Sequence, residues 1–333
     1  MSARTVAGWS HRGVDAVILE NRALRVVVLP ALGGHVLSLV DKAADRELLW
    51  ANPRTAPRAA PYGAHFDDWW SGGWDEIFPT GDRALLHGEL LPYMGELWSV
   101  PWTAEHGADG DVAWVRTAGL GTMAPARLER TLRLRGDEPV LRASYRLTNL
   151  DLRPLPFVWG IHPCFAVTAA HRVDLPGSRM LVGVSSGSPM GEVGAEYAWP
   201  LQPGAGADGP RDVRRVLGAD AAAFGGHWAT ELDAGWLALT DTPARRGVAI
   251  AFSTDVFPSA WLWQVYGGWR GHHHLCLEPW TGYPMQLEEA AAADRARVLE
   301  PGASLETKVA FVVFDGLDSV ATVEPDGDGF RVR

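Results

Sequence analysis

The sequence predicts an all-β protein: a large antiparallel β-sandwich built as one domain over residues 1–333. Three observations carry that expectation. Short runs of two-residue periodicity recur along the chain, and Gly, Pro, Asp and Asn break them at short intervals. Helical periodicity is scarce, and strand signals do not alternate with long helices, which argues against a parallel α/β fold. Many short strands with Gly- and Pro-rich turns favour an antiparallel sandwich.

The elements follow in chain order. Leu24–Leu29 and residues 36–40, 236–239, 248–252 and 309–314 are apolar on both faces and rich in branched side chains, so they read as strands buried on both sides. In residues 128–135, Leu128, Leu132 and Leu134 share one face and Glu129, Thr131, Arg133 and Arg135 the other. Ala143, Tyr145 and Leu147 repeat the pattern, and Asp137, Glu138 and Pro139 lie between, so the two runs form a hairpin. Residues 290–297 supply two helical turns at most. Residues 204–210, rich in Gly and Ala, read as a surface loop, not a linker.

Composition limits the partners. The chain is 47% hydrophobic and 21% charged, with a net charge of −10 and no basic block of the kind that tracks nucleic acid. The anionic balance disfavours acidic membranes, and no apolar run approaches the roughly 20 residues of a bilayer span. Residues 1–13 lack the apolar stretch of a signal peptide. With two cysteines, Cys164 and Cys276, the expectation is a cytoplasmic protein with free thiols, monomeric or homodimeric. The 16 Trp serve either a core or a ligand platform; flat C–H faces of sugar rings stack well on such rings.

Three clusters could carry chemistry. His162 reads as the end of an apolar strand and precedes Pro163, which restricts its backbone to an extended conformation. Glu278 likewise precedes Pro279, and His274, Cys276 and Glu278 alternate onto one strand face. A carboxylate among apolar neighbours suits a general base. The third cluster is Trp69, Trp70, Ser71, Gly72, Gly73, Trp74, Asp75 and Glu76, followed by His87 and Gly88 and by Trp98 and Trp102. Acids that accept from hydroxyls, rings that stack and glycines that permit close approach are what a polyol site uses; a Trp-rich packing corner would look the same. A G-x-S-x-G pattern at 183–187 lacks the following helix of a nucleophile elbow and reads as a loop. His272, His274 and Glu278 form an H-x-H-x3-E pattern, but no histidine follows His274 to complete a cupin-type metal site.

The order of these clusters resembles the aldose 1-epimerase, or galactose mutarotase-like, family. Members carry a His-Gly, then a His-Pro, then a Glu-Pro segment, here His87-Gly88, His162-Pro163 and Glu278-Pro279. Residues 26–39 are similar to the family's first hairpin and residues 299–305 to its closing segment. The resemblance implies a β-supersandwich with the sugar on a concave sheet face. It implies Glu278 as the base that takes the anomeric proton, His162 as the acid that protonates the ring oxygen, and a sugar contact from His87. No cofactor and no metal are implied, because only protons move. Trp159, Gln264 and Trp280 are expected to bind the sugar as well. Trp74, Asp75 and Glu76 stand where members have an Asn-Arg pair. Three other readings stay open: a sugar-phosphate epimerase, for which Arg83 and Arg270 are the nearby cations; a non-catalytic carbohydrate-binding protein; and the metal-dependent cupin.

Overall fold

The computed structural model describes residues 2–186, 188–204 and 209–333. Strands make up 52% of it and helices 5%, so the all-β expectation holds. The chain forms two compact units: Met1–Pro163 with Thr281–Val309, and Cys164–Trp280 with Ala310–Arg333.

The first unit is a sandwich of two antiparallel layers. One layer orders Arg4–His11, Val14–Glu20, Leu24–Leu29, His35–Asp41, Trp74–Ile77 and the start of Gly160–Ala166 as successive neighbours. The branched run Val26, Val27 and Val28 is buried in it; stiff β-branched side chains suit a pleated, packed surface. The other layer is a meander of Thr103–Asp109, Val112–Leu120, Ala126–Arg135 and Val140–Asn149. Here the expected hairpin forms in register, with Leu128 opposite Leu147 and Leu132 opposite Ala143.

Arg130 departs from the pattern. It shares the apolar face of Leu128 and Leu132 and is fully buried. Its guanidinium donates to Glu76 Oε1 at 3.1 Å and to the Gly34 carbonyl. Tyr145 and Trp159 also donate to Glu76, at 2.9 and 3.0 Å. A buried ion pair persists only when its other lone pairs and protons are satisfied, and three donors meet that condition for Glu76. The network joins the two layers of this unit through polar contacts.

The second unit repeats the scheme. Its larger layer orders the end of Gly160–Ala166 beside His273–Trp280, Ser259–Tyr266, Ala223–Ala229, Arg179–Ser186 and Glu196–Ala198. Its smaller layer holds His171–Asp174, Trp236–Asp241, Arg246–Phe252 and the end of Ser304–Asp315.

Two local expectations change. The C-terminal helix is Leu287–Ala292, starting earlier than the alanine run suggested. The Gln286 side chain accepts from the Glu289 N–H, and Glu288 and Glu289 sit in the first turn, where the helix dipole favours acids. Asp294, at φ 58°, lies in the left-handed region just past its end. Residues 183–186 are strand, not loop, and a single 3-10 turn, Ser188–Met190, comes after them. Gly187, which completes that pattern, lies outside the described residues, as do 205–208 of the expected loop at 204–210. No helix among the described residues is long and apolar enough to cross a membrane.

Candidate functional site

In the first unit, Asp75 and His162 are register partners on adjacent strands, so their side chains leave the same sheet face. Trp74 and Glu76 alternate to the opposite face, where Glu76 joins Arg130 and the Trp74 ring lies under the Arg130 guanidinium, 5.0 Å away. Burial raises the Glu76 carboxyl pKa, opposed by the Arg130 charge and by its three hydrogen-bond donors. The acids Asp75 and Glu76, adjacent in sequence, therefore serve different surroundings.

Asp75 faces His35. The Asp75 carboxylate lies 2.8 Å from His35 Nδ1, and His35 Nε2 lies 3.4 Å from the Ser71 hydroxyl. All three residues are buried and line a small cavity with Phe66, Trp69, Trp70, Trp98 and residues 57–60. Ser71 reaches this position because Gly72 and Gly73 follow it with φ of 85° and 75°. Only glycine adopts that backbone readily. A Cβ on Gly73 would also sit 2.5 Å from His35 Cε1, so the imidazole packs directly on the bare backbone.

His162 lies at mid-strand in Gly160–Ala166, not at a strand end, and is 3% exposed. Its ring meets two walls of the same cavity: Phe66 edge-on at 5.8 Å and Trp70 tilted at 5.3 Å. A larger cleft of about 530 Å³ in this unit is lined by Trp9, Arg25 and Glu47 among others and shares Pro57 and Ser71 with the smaller one. Only the smaller one borders His162 through its aromatic walls, and chemistry rather than size singles it out.

The remaining expected residues of this unit lie elsewhere. Trp159 is fully buried, its N–H bonded to Glu76 and its backbone clamped by Thr281, whose N–H and Oγ1 both bond to it. His87 is exposed at the tip of the Ala84–Leu86 and Glu89–Leu91 hairpin. His87 and Gly88 have φ of 51° and 89°. Two positive φ values define the primed turn that a two-residue hairpin loop prefers, so turn geometry alone accounts for this His-Gly pair. Arg83 is exposed near that hairpin.

In the second unit, Glu278 is 1% exposed, and its Oε2 accepts the Trp280 indole N–H at 3.0 Å. Trp280 meets Trp228 edge-on, and Trp228 packs on Trp261 at 4.7 Å. Glu278 thus sits in an aromatic wall. Gln264, buried on Ser259–Tyr266, accepts from the Tyr266 hydroxyl at 3.3 Å. Arg270 stacks on Trp269 at 5.1 Å. Cys164, His274 and Cys276 bring three donor atoms within 4.8 Å of one another; no such grouping among the described residues includes His272, so the cupin pattern is not assembled. Both cysteines are buried, and neither is in a disulfide. Ten of the 16 Trp are buried, which makes core packing their main employment.

His35 was not singled out from the sequence, and Ser71 stood only as one member of the third cluster, with no role of its own. The available signal was the Gly33-Gly34-His35 turn, whose role depends on the distant Asp75.

No family model matches the chain. Solved structures do. The Slr1438 protein from Synechocystis sp. PCC 6803 superposes with a TM-score of 0.65 at 19% identity, over 90% of this chain and 96% of that one. A galactose mutarotase-like protein from Clostridium acetobutylicum gives 0.67 at 15% identity, over 94% and 99%. The galactose mutarotase related enzyme from Lactobacillus acidophilus gives 0.60 at 16%, over 92% and 100%. The likeness is one of fold, and it agrees with the strand pattern and the aromatic, acid-bearing sheet faces described above: the chain has the galactose mutarotase-like fold.

Proposed function

We propose that the protein is an aldose 1-epimerase acting on a free aldose. The observation that carries this reading is the aromatic-walled cavity of the first unit, with Asp75, His35 and Ser71 inside it and His162 against its Phe66 and Trp70 walls. Aromatic rings with a few convergent polar groups are what a neutral polyol requires. The fold supports the same class, because solved structures that share it are named for mutarotases.

In the proposed reaction Glu278 takes the proton from the anomeric hydroxyl and His162 gives one to the ring oxygen. The C1–O bond breaks as the C1 carbonyl forms, the C1–C2 bond rotates, and the reverse transfers close the ring on the other face. Two groups that exchange protons with substrate contribute about 10²-fold or more each. The proton given up by one face is restored on the other, so the protein ends each turnover unchanged.

Anomeric proton NMR on freshly dissolved α-galactose and α-glucose tests the reading. Accelerated equilibration is expected, with Glu278→Gln slower by about 10²-fold or more. Full activity in that variant would remove Glu278 from the role. Sugar binding without anomer conversion would support a carbohydrate-binding protein instead, and preference for hexose phosphates would support a sugar-phosphate epimerase.

A further inference from the structure

The contacts around His35 have the atom order of a hydrolytic triad: carboxylate to Nδ1, serine hydroxyl to Nε2. An activated nucleophile stands within roughly 2.6–3.2 Å of its base, and the Ser71 hydroxyl is 3.4 Å from Nε2. The contacts suit recognition of a hydroxyl better than nucleophilic attack.

We infer that Asp75, His35 and Ser71 form a subsite for a single hydroxyl or hydroxymethyl group of a neutral sugar, with His35 as the residue that bonds it. This rests on the sugar-binding reading above and deepens it. With Nδ1 bonded to Asp75, the imidazole turns Nε2 toward Ser71, on the wall of the cavity. Ser71 can both donate and accept there. The space between these side chains is about 30 Å³, room for a water or two and so for one hydroxyl-bearing group. A phosphoryl group, with three oxygens and its own negative charge, fits neither that volume nor a neighbouring carboxylate. Asp75 is a positioning residue, since it holds the ring whose far nitrogen faces the cavity. Gly73 fixes the ring from the other side, where any Cβ would collide with Cε1 and Nε2 at 2.5 and 2.7 Å.

The test is equilibrium binding of galactose and its 2-, 3-, 4- and 6-deoxy analogues, read by the fluorescence of the Trp that line the cavity. One analogue should bind the natural protein about 10-fold more weakly than galactose, as a lost neutral hydrogen bond does. That difference should vanish in His35→Ala. Asp75→Asn, which can still accept Nδ1–H, should keep affinity within about 2-fold, while Asp75→Ala should lose about as much as His35→Ala. In the natural protein, the His35 Nε2 resonance in ¹⁵N-histidine NMR should move when galactose is added, a readout that needs no variant. Analogue penalties equal in both proteins, or a His35 Nε2 resonance unmoved at saturating galactose, would overturn the subsite while leaving the epimerase reading intact. No binding of galactose or glucose by the natural protein would overturn both.

Discussion

Acidification offers a test of how tightly the second unit is packed. His227 is fully buried on Ala223–Ala229. Its Nδ1 accepts the Tyr197 hydroxyl at 2.7 Å and its Nε2–H donates to the Met190 carbonyl at 3.0 Å, so the neutral tautomer fills both ring positions. Burial pushes its pKa down from 6.5 to about 4; the Met190 carbonyl opposes this and the Arg211 charge adds to it. In the unfolded chain the imidazole titrates near 6.5. Below that pH the unfolded state binds a proton that the folded state does not, so stability is complete above pH 6.5 and falls as pH drops toward 4. Integrating the two titrations, the loss between pH 7 and pH 5 is about 2 kcal/mol, reaching about 3 kcal/mol at pH 4. Urea unfolding of the natural protein and of His227→Gln at pH 7, 6 and 5 reads this directly. Glutamine can occupy both hydrogen bonds and does not titrate. The difference in unfolding free energy between the two proteins should therefore shrink by about 2 kcal/mol over that range. A difference constant to within about 0.5 kcal/mol would refute the reasoning, because His227 would then titrate alike in both states.

Two further perturbations act on the first unit. Glu76→Gln leaves Arg130 buried without its counter-charge and should cost about 3–5 kcal/mol in urea unfolding, whereas adding Arg130→Met should recover much of the loss. If the single variant unfolds at the same urea concentration as the natural protein, the network is not holding the two layers. Gly73→Ala places a Cβ against His35 and the Val36 carbonyl at a φ of 75°. It should lower stability by about 1–2 kcal/mol or more and displace the His35 resonances, and unchanged spectra would show that the ring has room to move.

Strand structure was legible because alternation is a local property. The hairpin joining residues 126–135 to 140–149 could be read from its own side chains, and the branched runs near Leu24–Leu29 declared burial on both faces. The order of His162-Pro163 and Glu278-Pro279 was equally plain in one dimension, and it suggested a fold that the superpositions bear out. The helix start shifted because a cap depends on one side chain, Gln286, that composition alone does not mark.

What the sequence by itself determined is the set of strands, their faces and the supply of acids, imidazoles and indoles. What only the tertiary structure decided is which of them meet. Asp75 and Glu76 are adjacent in the chain, yet strand alternation sends one to His35 and the other to Arg130, 54 residues away. Arg130 sits on an apolar face where sequence alone would expect Leu, because its charge is answered by groups from other strands. The His35 and Ser71 contacts close across 36 residues and depend on two glycines with positive φ. Pairings of that kind follow from the register and stacking of whole sheets, and these are settled by packing over the full chain, not by any local run.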